Sequence, residues 1–360
     1  MRWLGQGVRL ERRNHPSVAT WLLVSCAALA CTLSLCSALV VWAGAPVGQT
    51  FLLLVHGAFG SVFAWSETLT RATPLILSGL AVAVAFRARL FNIGAEGQLY
   101  AGALAAVAVG GTLAGRTPDT APALLFVLMM LVAALAGALL LIGPAWLKVR
   151  LGVDEVVTTL LLNFIVLLFV SAMLDGPMKD PGAMGWPQSV ALAPALELEK
   201  LVERTRVHTG LLWALGCALL LWVMLRSTVL GFDIRALGAQ ARAAAFAGVP
   251  VTRTMLLVAL ISGALAGLAG AIEVAGRTSY LTLDMSPGYG YSGIVIAMLA
   301  GLHPLGVVLA GIFVAGVLVG ADSMSRALGV PTYLADVIVA LALLSVLVAS
   351  ILIRYRLVRN

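Results

Sequence analysis

A short polar stretch between residues 91 and 98 interrupts a chain that otherwise reads as lipid-soluble. It reads FNIGAEGQ and carries an amide, a carboxylate and a second amide at Asn92, Glu96 and Gln98. A carboxylate between apolar segments is costly unless it meets water, a partner or a cargo, which makes Glu96 a candidate functional residue. The two glycines allow a sharp turn or the close approach of another surface. A polar turn at a membrane boundary explains the same residues equally well.

A second polar set, Glu155, Thr159 and Asn163, recurs at intervals of four residues. On a helix this spacing places the three side chains in one polar stripe on an otherwise apolar surface. The stripe could line a solute pathway, or it could be an acidic first turn followed by side chains bonded back to the helix. We favour the pathway, because Asn163 lies deep enough in the apolar run to need a hydrogen-bond partner.

Motifs for covalent chemistry are scarce. The histidines show no HExxH or other metal-ligand spacing, no Gly-x-Ser-x-Gly motif occurs, and none of the three lysines follows a glycine-rich phosphate loop. The four cysteines lie inside apolar runs, which favours packing roles. We therefore predict no catalytic residue, no metal site and no cofactor in this chain. If ATP drives its function, another polypeptide must bind the nucleotide.

The composition predicts an all-α, polytopic membrane helix bundle. Of the 360 residues, 61% are hydrophobic and 11% are charged, and the mean hydropathy is +1.04. Soluble domains carry about 25% charged residues, and an apolar run of about 20 residues crosses a bilayer. We interpret residues 1–360 as one multi-pass transmembrane domain of the cytoplasmic (inner) membrane. Ten spans are predicted, at approximately 18–42, 72–87, 98–115, 122–147, 154–174, 209–226, 254–274, 288–302, 304–321 and 333–353. The spans that begin at 72, 288 and 304 are short, so each could be a tilted or broken helix or a re-entrant segment.

The charge pattern orients this bundle. The net charge of +7 comes from residues at the ends of the apolar runs, which indicates membrane orientation and not nucleic-acid binding. With the N-terminus inside, 15 of the 23 Lys and Arg residues lie inside, so both termini are predicted to be cytoplasmic. The apolar stretch 49–65 is predicted to be re-entrant or interfacial. The loop 175–208 is then extracytoplasmic, with a short surface helix in its charged part, and the loop 231–253 is cytoplasmic.

The cytoplasmic loop has features of a docking element. Residues 238–250 read as an Ala-rich helix that is ended by Gly248, with Pro250 just beyond. This segment is basic and bears a single aromatic side chain, Phe246. It could dock into a groove of a soluble partner, or it could lie on the bilayer surface.

Small residues recur in the predicted span 254–274. Gly263, Gly267 and Gly270 are three or four residues apart, and this spacing lets two membrane helices approach closely. We therefore expect a tightly packed bundle, as in a channel or a carrier.

Six segments of the chain together resemble one family of bacterial ABC importer permeases, which take up simple sugars, nucleosides or branched-chain amino acids. The resemblance is greatest to the longer permease of the nucleoside-type systems, and FNIGAEGQ is its most specific signal. Asp154 departs from the family pattern, in which Asn is expected, but it keeps a capping side chain. The six segments are Ala72–Leu77, Phe91–Gln98, Asp154–Asn163, Gly238–Pro250, Ser262–Gly276 and Gly288–Tyr291.

The resemblance implies partners and a mechanism. A separate ABC ATPase subunit would bind ATP-Mg and contact the cytoplasmic loop, and a second, shorter permease would complete a heterodimer. An extracytoplasmic solute-binding protein would deliver a nucleoside or a related small polar solute, which the permease pair would carry by alternating access. The implied coupling residues are Gly238, Arg242, Ala244, Phe246 and Gly248. The implied translocation-pathway residues are Asn92, Glu96, Gln98, Glu155, Thr159 and Asn163.

Other functions remain open at this point. A stand-alone, ion-coupled secondary transporter would need a buried titrating carboxylate, for which Glu96 is the best candidate. An ABC permease for a simple sugar would use the same architecture. A membrane enzyme would need an essential Ser or His inside the bundle, such as His56 or His303.

Overall fold

The computed structural model describes residues 8–12, 30–31, 33–117, 120–329 and 355–359, together with seven helical positions between 337 and 349. Seven helices in this part of the chain are long and apolar enough to cross a membrane. The predicted helical membrane bundle is therefore confirmed. The predicted spans 18–42 and 333–353 fall in large part outside the described residues, so the total of ten spans stays a prediction.

Helices account for most of the described residues, and two of them continue into π-helical turns. Contacts divide the chain into two compact units, one comprising Ser66–Ala315 and the other Met1–Trp65 with Gly316–Asn360. In chain order the elements are β1 (Val8–Arg12), α1 (Leu33–Trp42), α2 (Val47–Phe59), α3 (Val62–Arg87), α4 (Ala95–Val107), the π turn π1 (Ala108–Leu113), α5 (Ala114–Arg116), α6 (Pro122–Leu151), α7 (Glu155–Asp175), α8 (Gly210–Ser227), α9 (Val229–Ala239), α10 (Ala241–Phe246), α11 (Val251–Glu273), the π turn π2 (Val274–Thr278), α12 (Tyr289–Leu299), α13 (Pro304–Leu328) and β2 (Tyr355–Arg359).

The unit Ser66–Ala315 is built around α11, which packs against α6 and α4. The glycines of α11 make this packing possible. A methyl group added at Gly267 would overlap the carbonyl oxygen of Ala133 in α6, and one at Gly270 would overlap that of Leu99 in α4. The close helix approach predicted from the glycine spacing is therefore confirmed, and it draws three helices together behind the candidate site.

Helix α3 begins ten residues before the predicted start of its span at residue 72, so that boundary was wrong. Residues 66–71 contain Ser, Thr, Glu and Arg, which lower the local hydropathy, yet Ser66, Thr68 and Thr70 are buried in the structure. Glu67 forms an ion pair with Arg206, at 3.1 Å between Oε1 and Nε. Buried charges are tolerated when they are paired, and a hydropathy count does not include such pairing.

Helix α12 replaces the predicted span 288–302 and is too short to cross a bilayer. Its 11 residues extend about 16 Å, against about 30 Å of hydrocarbon. Gly288 precedes it with a φ of 85°, a left-handed conformation that favours glycine. The irregular segment before it bonds to Tyr100 of α4, whose hydroxyl donates to the carbonyl of Leu283 and accepts from the N–H of Ser286. Non-helical backbone of this kind is tolerated within a membrane protein when other protein groups satisfy it.

In the other unit, α2 packs against the C-terminal part of α13. A methyl group at Gly57 would overlap Ser323, and one at Gly320 would overlap the carbonyl oxygen of Leu54. The axes of α1 and α2 form an angle of 115°. This bend, just before the stretch 49–65 that was predicted to be re-entrant or interfacial, is typical of a broken span or a re-entrant segment.

Strands β1 and β2 pair antiparallel in the same unit, with Leu10 opposite Leu357. They belong to segments near the two ends of the sequence given. Their pairing brings these two segments together on the same side of any membrane that the chain crosses.

The loop 175–208 does not contain the short surface helix that was predicted for its charged part. Its described helical turn is Pro194–Leu196, and the following residues form an irregular hairpin with a bridge between Lys200 and His208. The hairpin satisfies its backbone through tertiary bonds, such as the one from the N–H of Leu198 to the carbonyl of Ala275 in π2, at 2.8 Å. These tertiary bonds satisfy backbone groups that would have bonded within the predicted helix.

Candidate functional site

The polar stretch of the sequence forms the connection between α3 and α4. Helix α3 ends at Arg87, and Arg89 adopts a φ of 57° that turns the chain back. The segment 90–94 then runs alongside α7 before α4 begins at Ala95. The connection therefore places both predicted polar sets at one position in the bundle.

The stripe on α7 binds the backbone of this connection. Glu155 accepts a hydrogen bond from the N–H of Phe91 (3.1 Å), and the Thr159 hydroxyl accepts one from Ile93 (3.3 Å). The Asn163 side chain donates to the carbonyl of Ile93 (2.9 Å) and accepts from the N–H of Gly97 (2.8 Å). The single polar face predicted from the four-residue spacing is confirmed, and its partner is the backbone of residues 91–97.

Two side-chain amides hold the connection from the other side. The Asn92 amide donates to the Gln98 carbonyl oxygen, and the Gln98 amide donates back to Asn92, both at 2.9 Å. Asn92 also donates to the Ser262 hydroxyl of α11 (3.0 Å), which in turn donates to the carbonyl of Ala81 in α3 (2.7 Å). These bonds join α3, α4 and α11. Ser262 was not predicted as a site residue, and the signal for it was a hydroxyl within an apolar run of small residues.

Glu96 lies at the N-terminus of the short helix α12. Its carboxylate accepts a hydrogen bond from the N–H of Gly290 at 2.6 Å, and further bonds from the N–H of Tyr291 and the hydroxyl of Ser286. A carboxylate at this position is stabilised by the unpaired N–H groups and the dipole of the helix. Gly290 permits the contact, because a methyl group there would overlap the backbone of Glu96.

A lysine of α6 contacts the stripe at Glu155, its first residue. Glu155 forms an ion pair with Lys148 of α6, and Lys148 also donates to the carbonyl of Arg89 (2.6 Å). Its ammonium lies 5.8 Å from the centroid of the Phe91 ring, within the range of a cation–π contact.

We call the six predicted pathway residues the polar clamp: Asn92, Glu96, Gln98, Glu155, Thr159 and Asn163. All six are buried, and the crevice beside them holds about 170 Å³ but no space wide enough for a water molecule. A small-molecule site usually offers about 300 Å³ or more. In this conformation the clamp joins helices by hydrogen bonds and presents no open pocket, so its place on the translocation path stays a prediction.

A charge network, which was not predicted as a site, lies beside the N-terminus of α12, with Glu273 and Tyr289 buried and Arg206 at its exposed edge. Glu273 is fully buried and forms an ion pair with Arg277, whose Nη1 is 3.1 Å from the Tyr289 hydroxyl. The acidic and basic residues stand four positions apart in α3 and again in α11–π2, which is the sequence signal for side chains on one helix face. The six members of the network are Glu67, Arg71, Arg206, Glu273, Arg277 and Tyr289.

The predicted coupling residues fall on two helices rather than on one loop. Gly238 belongs to α9, where a methyl group would overlap the carbonyl oxygen of Arg87. Arg242, Ala244 and Phe246 lie on the six-residue helix α10, which Gly248 ends with a φ of 85°. Arg242 is exposed, Ala244 is buried and the Phe246 side chain is 96% exposed. The predicted helix over 238–248 is thus correct for residues 241–246.

No group of three or more His, Cys, Asp or Glu residues is placed to hold a metal ion within the described ranges. The chemistry available at the clamp and the network is hydrogen bonding and charge pairing between helices. Both suit a protein that changes helix positions.

Comparison with known proteins assigns this architecture to transport systems. Residues 64–347 match the family described as branched-chain amino acid transport system / permease component. The chain is 36% identical to the guanosine ABC transporter permease protein NupP of Bacillus subtilis, over 90% of this chain and 92% of that protein. It is also 36% identical to the glucose ABC transporter permease protein TsgB13 of Haloferax volcanii, over 97% of this chain and 93% of that protein.

A second guanosine permease of Bacillus subtilis, NupQ, is 27% identical over 68% of this chain and 77% of its own length. All three relatives are transport permeases, so the chain is a transport subunit and not an enzyme. The family match covers most of the chain and includes the polar clamp, the charge network and helices α9 and α10. The chain therefore belongs to the branched-chain amino acid transport system permease family.

Proposed function

We propose that the chain is the membrane-spanning subunit of an ATP-driven ABC importer for a nucleoside or a related small polar solute. The observation that carries the nucleoside assignment is the 36% identity to a guanosine permease across 90% of the chain. An extracytoplasmic solute-binding protein delivers the solute, and a separate ATPase subunit binds ATP-Mg. The permease then alternates between outward-open and inward-open states in the inner membrane.

Helix α10 is the proposed contact with the ATPase. It lies between two short turns after α9, and its surface carries Arg242 and the almost fully exposed Phe246. An exposed aromatic ring on a short helix is a suitable anchor for a pocket on a soluble partner. The packing of Gly238 against the end of α3 supports a rigid link between this contact and the connection 88–94.

The second permease is proposed to be a different chain. The sequence is similar to both NupP and NupQ, two guanosine permeases of one organism. A pull-down in mild detergent from the native host, followed by mass spectrometry, tests all partners. Recovery of an ATPase and a shorter permease is expected, whereas recovery of an ATPase with this chain as the sole permease would indicate a homodimer.

The polar clamp is proposed to form the wall of the translocation path. The support is Tyr291, which accepts a hydrogen bond from Asn163 (3.2 Å) and leaves 39% of its surface exposed at the edge of the clamp. A Tyr291→Cys variant without the native cysteines should react with a water-soluble thiol reagent in the assembled complex. Lack of reaction with and without ATP would place Tyr291 against lipid or protein instead.

Both termini are proposed to be cytoplasmic. The antiparallel pairing of β1 with β2 supports an even number of crossings between them, and the excess of Lys and Arg in the predicted inner loops supports the orientation. A reporter that fluoresces only in the cytoplasm, fused to either end, should fluoresce in both fusions. Fluorescence at one end alone would require an odd number of spans.

Uptake by the reconstituted complex tests the solute. Proteoliposomes that contain ATP should accumulate labelled guanosine when the binding protein is present, and unlabelled nucleosides should compete. The glucose permease TsgB13, at the same identity, makes glucose the second candidate. Accumulation of glucose and not of guanosine would replace the nucleoside assignment.

The ion-coupled alternative is tested by ionophores rather than by mutation. Glu96 caps α12, so a Glu96→Gln variant could lose uptake for a structural reason under either mechanism. Uptake that needs ATP and survives collapse of the proton and sodium gradients is expected. Uptake that follows a gradient without ATP would show a secondary transporter.

A further inference from the structure

The short helix α12 is held at its first turn from two sides. On one side Glu96 of α4 accepts the N–H of Gly290. On the other side the hydroxyl of Tyr289, the first residue of α12, meets Arg277 of π2 and the carboxylate of Glu273. Because α12 is preceded by irregular backbone and extends only about half of a membrane crossing, these two attachments hold its N-terminus together with the bonds of Tyr100 to the preceding segment.

Arg277 can release Tyr289 without losing its own charge partner. Its guanidinium is paired with Glu273, which is fully buried, and Glu67 of α3 also lies close enough to attract it. A guanidinium presents five N–H donors in a rigid plane, so one contact can open while the others persist. Two positions of α12 are therefore possible without leaving a charge unpaired, as a two-state element requires.

The same network is joined to the extracytoplasmic loop. Arg206 of that loop pairs with Glu67 at 3.1 Å, and the loop residue Leu198 bonds to the carbonyl of Ala275 in π2, two residues before Arg277. Arg277 lies in the π turn, a helix irregularity that is frequent at functional sites. A shift of the outer loop would thus change the position of Arg277.

We propose that Arg277 and Tyr289 are positioning residues for transport, whose hydrogen bond holds the first turn of α12 and opens and re-forms in each transport cycle. Glu273 keeps Arg277 in place while the bond is open. Neither residue touches the solute, and both act through α12 and its contact with Glu96. The proposal rests on the importer function proposed above.

The test compares Tyr289→Phe with the wild type in proteoliposomes that contain the whole complex. The variant keeps the ring and the Glu273–Arg277 pair and removes the hydroxyl, with its bonds to both of these residues. Maximal uptake per complex should fall about tenfold, equivalent to about 1.4 kcal/mol, a magnitude expected for one hydrogen bond to a charged group. The concentration of loaded binding protein that gives half-maximal uptake should stay within about twofold, and the ATP hydrolysed per solute should rise.

Tyr280→Phe is the matched control, because Tyr280 is exposed on the segment before α12 and should transport as the wild type does. Arg277→Lys is the second variant, which retains a cation for Glu273 but lacks the guanidinium plane. It should show the same loss of maximal uptake and the same rise in ATP use. If the Tyr289→Phe complex does not assemble, Arg277→Lys tests the proposal in its place.

Wild-type uptake and ATP use per solute in Tyr289→Phe would overturn the proposal. So would a loss of uptake that comes entirely from a higher half-maximal concentration, since that result indicates contact with the solute or its binding protein. A wrong solute assignment is distinguishable, because the wild-type complex would then carry glucose and not guanosine. The comparison of variants is made with whichever solute the wild type carries.

Discussion

The Asn163 side chain of the polar clamp has three hydrogen-bond partners. It bonds to the carbonyl of Ile93, to the N–H of Gly97 and to the hydroxyl of Tyr291. Replacement by Leu retains a similar volume but leaves two buried backbone groups without these partners. We expect Asn163→Leu to lower the stability of the chain by about 2 kcal/mol or more, measured as a lower melting temperature in detergent.

Thr158→Val is the control on the same helix. Thr158 is half-buried, and its hydroxyl bonds back to the carbonyl groups of Asp154 and Glu155 at the start of its own helix. This variant should melt within about 1 °C of the wild type. An equally stable Asn163→Leu would show that the clamp contributes little to the fold and would leave the pathway as its main role.

His208 makes the stability depend on pH. It precedes α8, its ring is almost fully buried, and its Nδ1 accepts the N–H of Gly210 at 3.2 Å. Burial lowers the pKa of His208 from its ordinary value of 6.5 to about 4. Between these two values the unfolded chain binds a proton that the folded chain does not, so stability decreases as the pH falls from about 6.5 towards 4.

Melting temperatures at pH 7 and pH 5 measure this effect. His208→Asn keeps an acceptor near the position of Nδ1 and removes the titrating group. We expect the wild type to lose about 3 °C more than the variant between these pH values. Equal losses would mean that His208 is accessible to protons in the folded state.

At the scale of elements, α10 carries an exposed aromatic ring whose removal should not affect the fold. Phe246 is 96% exposed, so its ring contributes little to packing within this chain. We expect Phe246→Ala to weaken binding of the ATPase subunit at least about tenfold, measured by co-purification and by ATP-driven uptake, with an unchanged melting temperature. Phe232→Ala, which removes an exposed ring from α9, is the control and should retain the ATPase. Normal ATPase binding by Phe246→Ala would exclude the ring as the anchor.

The elements also show where periodicity succeeds and where it fails. The stripe on α7 and the glycine spacing on α11 were predicted correctly, because both depend on the helical repeat within one segment. The start of α3 and the length of α12 were not predicted correctly. Glu67 and Arg71 made the first turns of α3 look like a loop, whereas in the structure Glu67 pairs with Arg206 and Arg71 acts on Glu273.

At the scale of the whole molecule, the bundle depends on the close packing of α11 with α6 and α4. Gly267 lies where a larger side chain would meet the backbone of α6, which cannot yield as a flexible side chain can. We expect Gly267→Leu to destabilise the chain by about 3 kcal/mol or more and to reduce the yield of assembled complex, measured by gel filtration in detergent.

Gly216→Leu is the matched control, because Gly216 lies in the middle of α8 with open space around its Cα. It should assemble normally and could gain helix stability, since glycine is unfavourable in a helix. Normal assembly of Gly267→Leu would show that α11 can move away from α6 without loss of the fold.

The sequence by itself determined the class of this protein and the location of its polar chemistry. Composition and apolar runs establish a helical membrane protein, and one polar stretch between apolar segments identifies residues 91–98. The four-residue spacing in α7 establishes which of its side chains share a face. These features could be predicted because each depends on residues that are close in the sequence.

The tertiary structure alone decided what the polar groups do. Glu96 and Gly290 are 194 positions apart, and Asn92 and Ser262 are 170 apart, so no local pattern pairs them. The partner of a buried polar group determines whether that group is stabilising or costly. For that reason the sequence suggested an open pathway at the six residues, whereas the folded chain bonds five of them to one another or to the backbone of the connection between α3 and α4, and Glu96 to the N-terminus of α12.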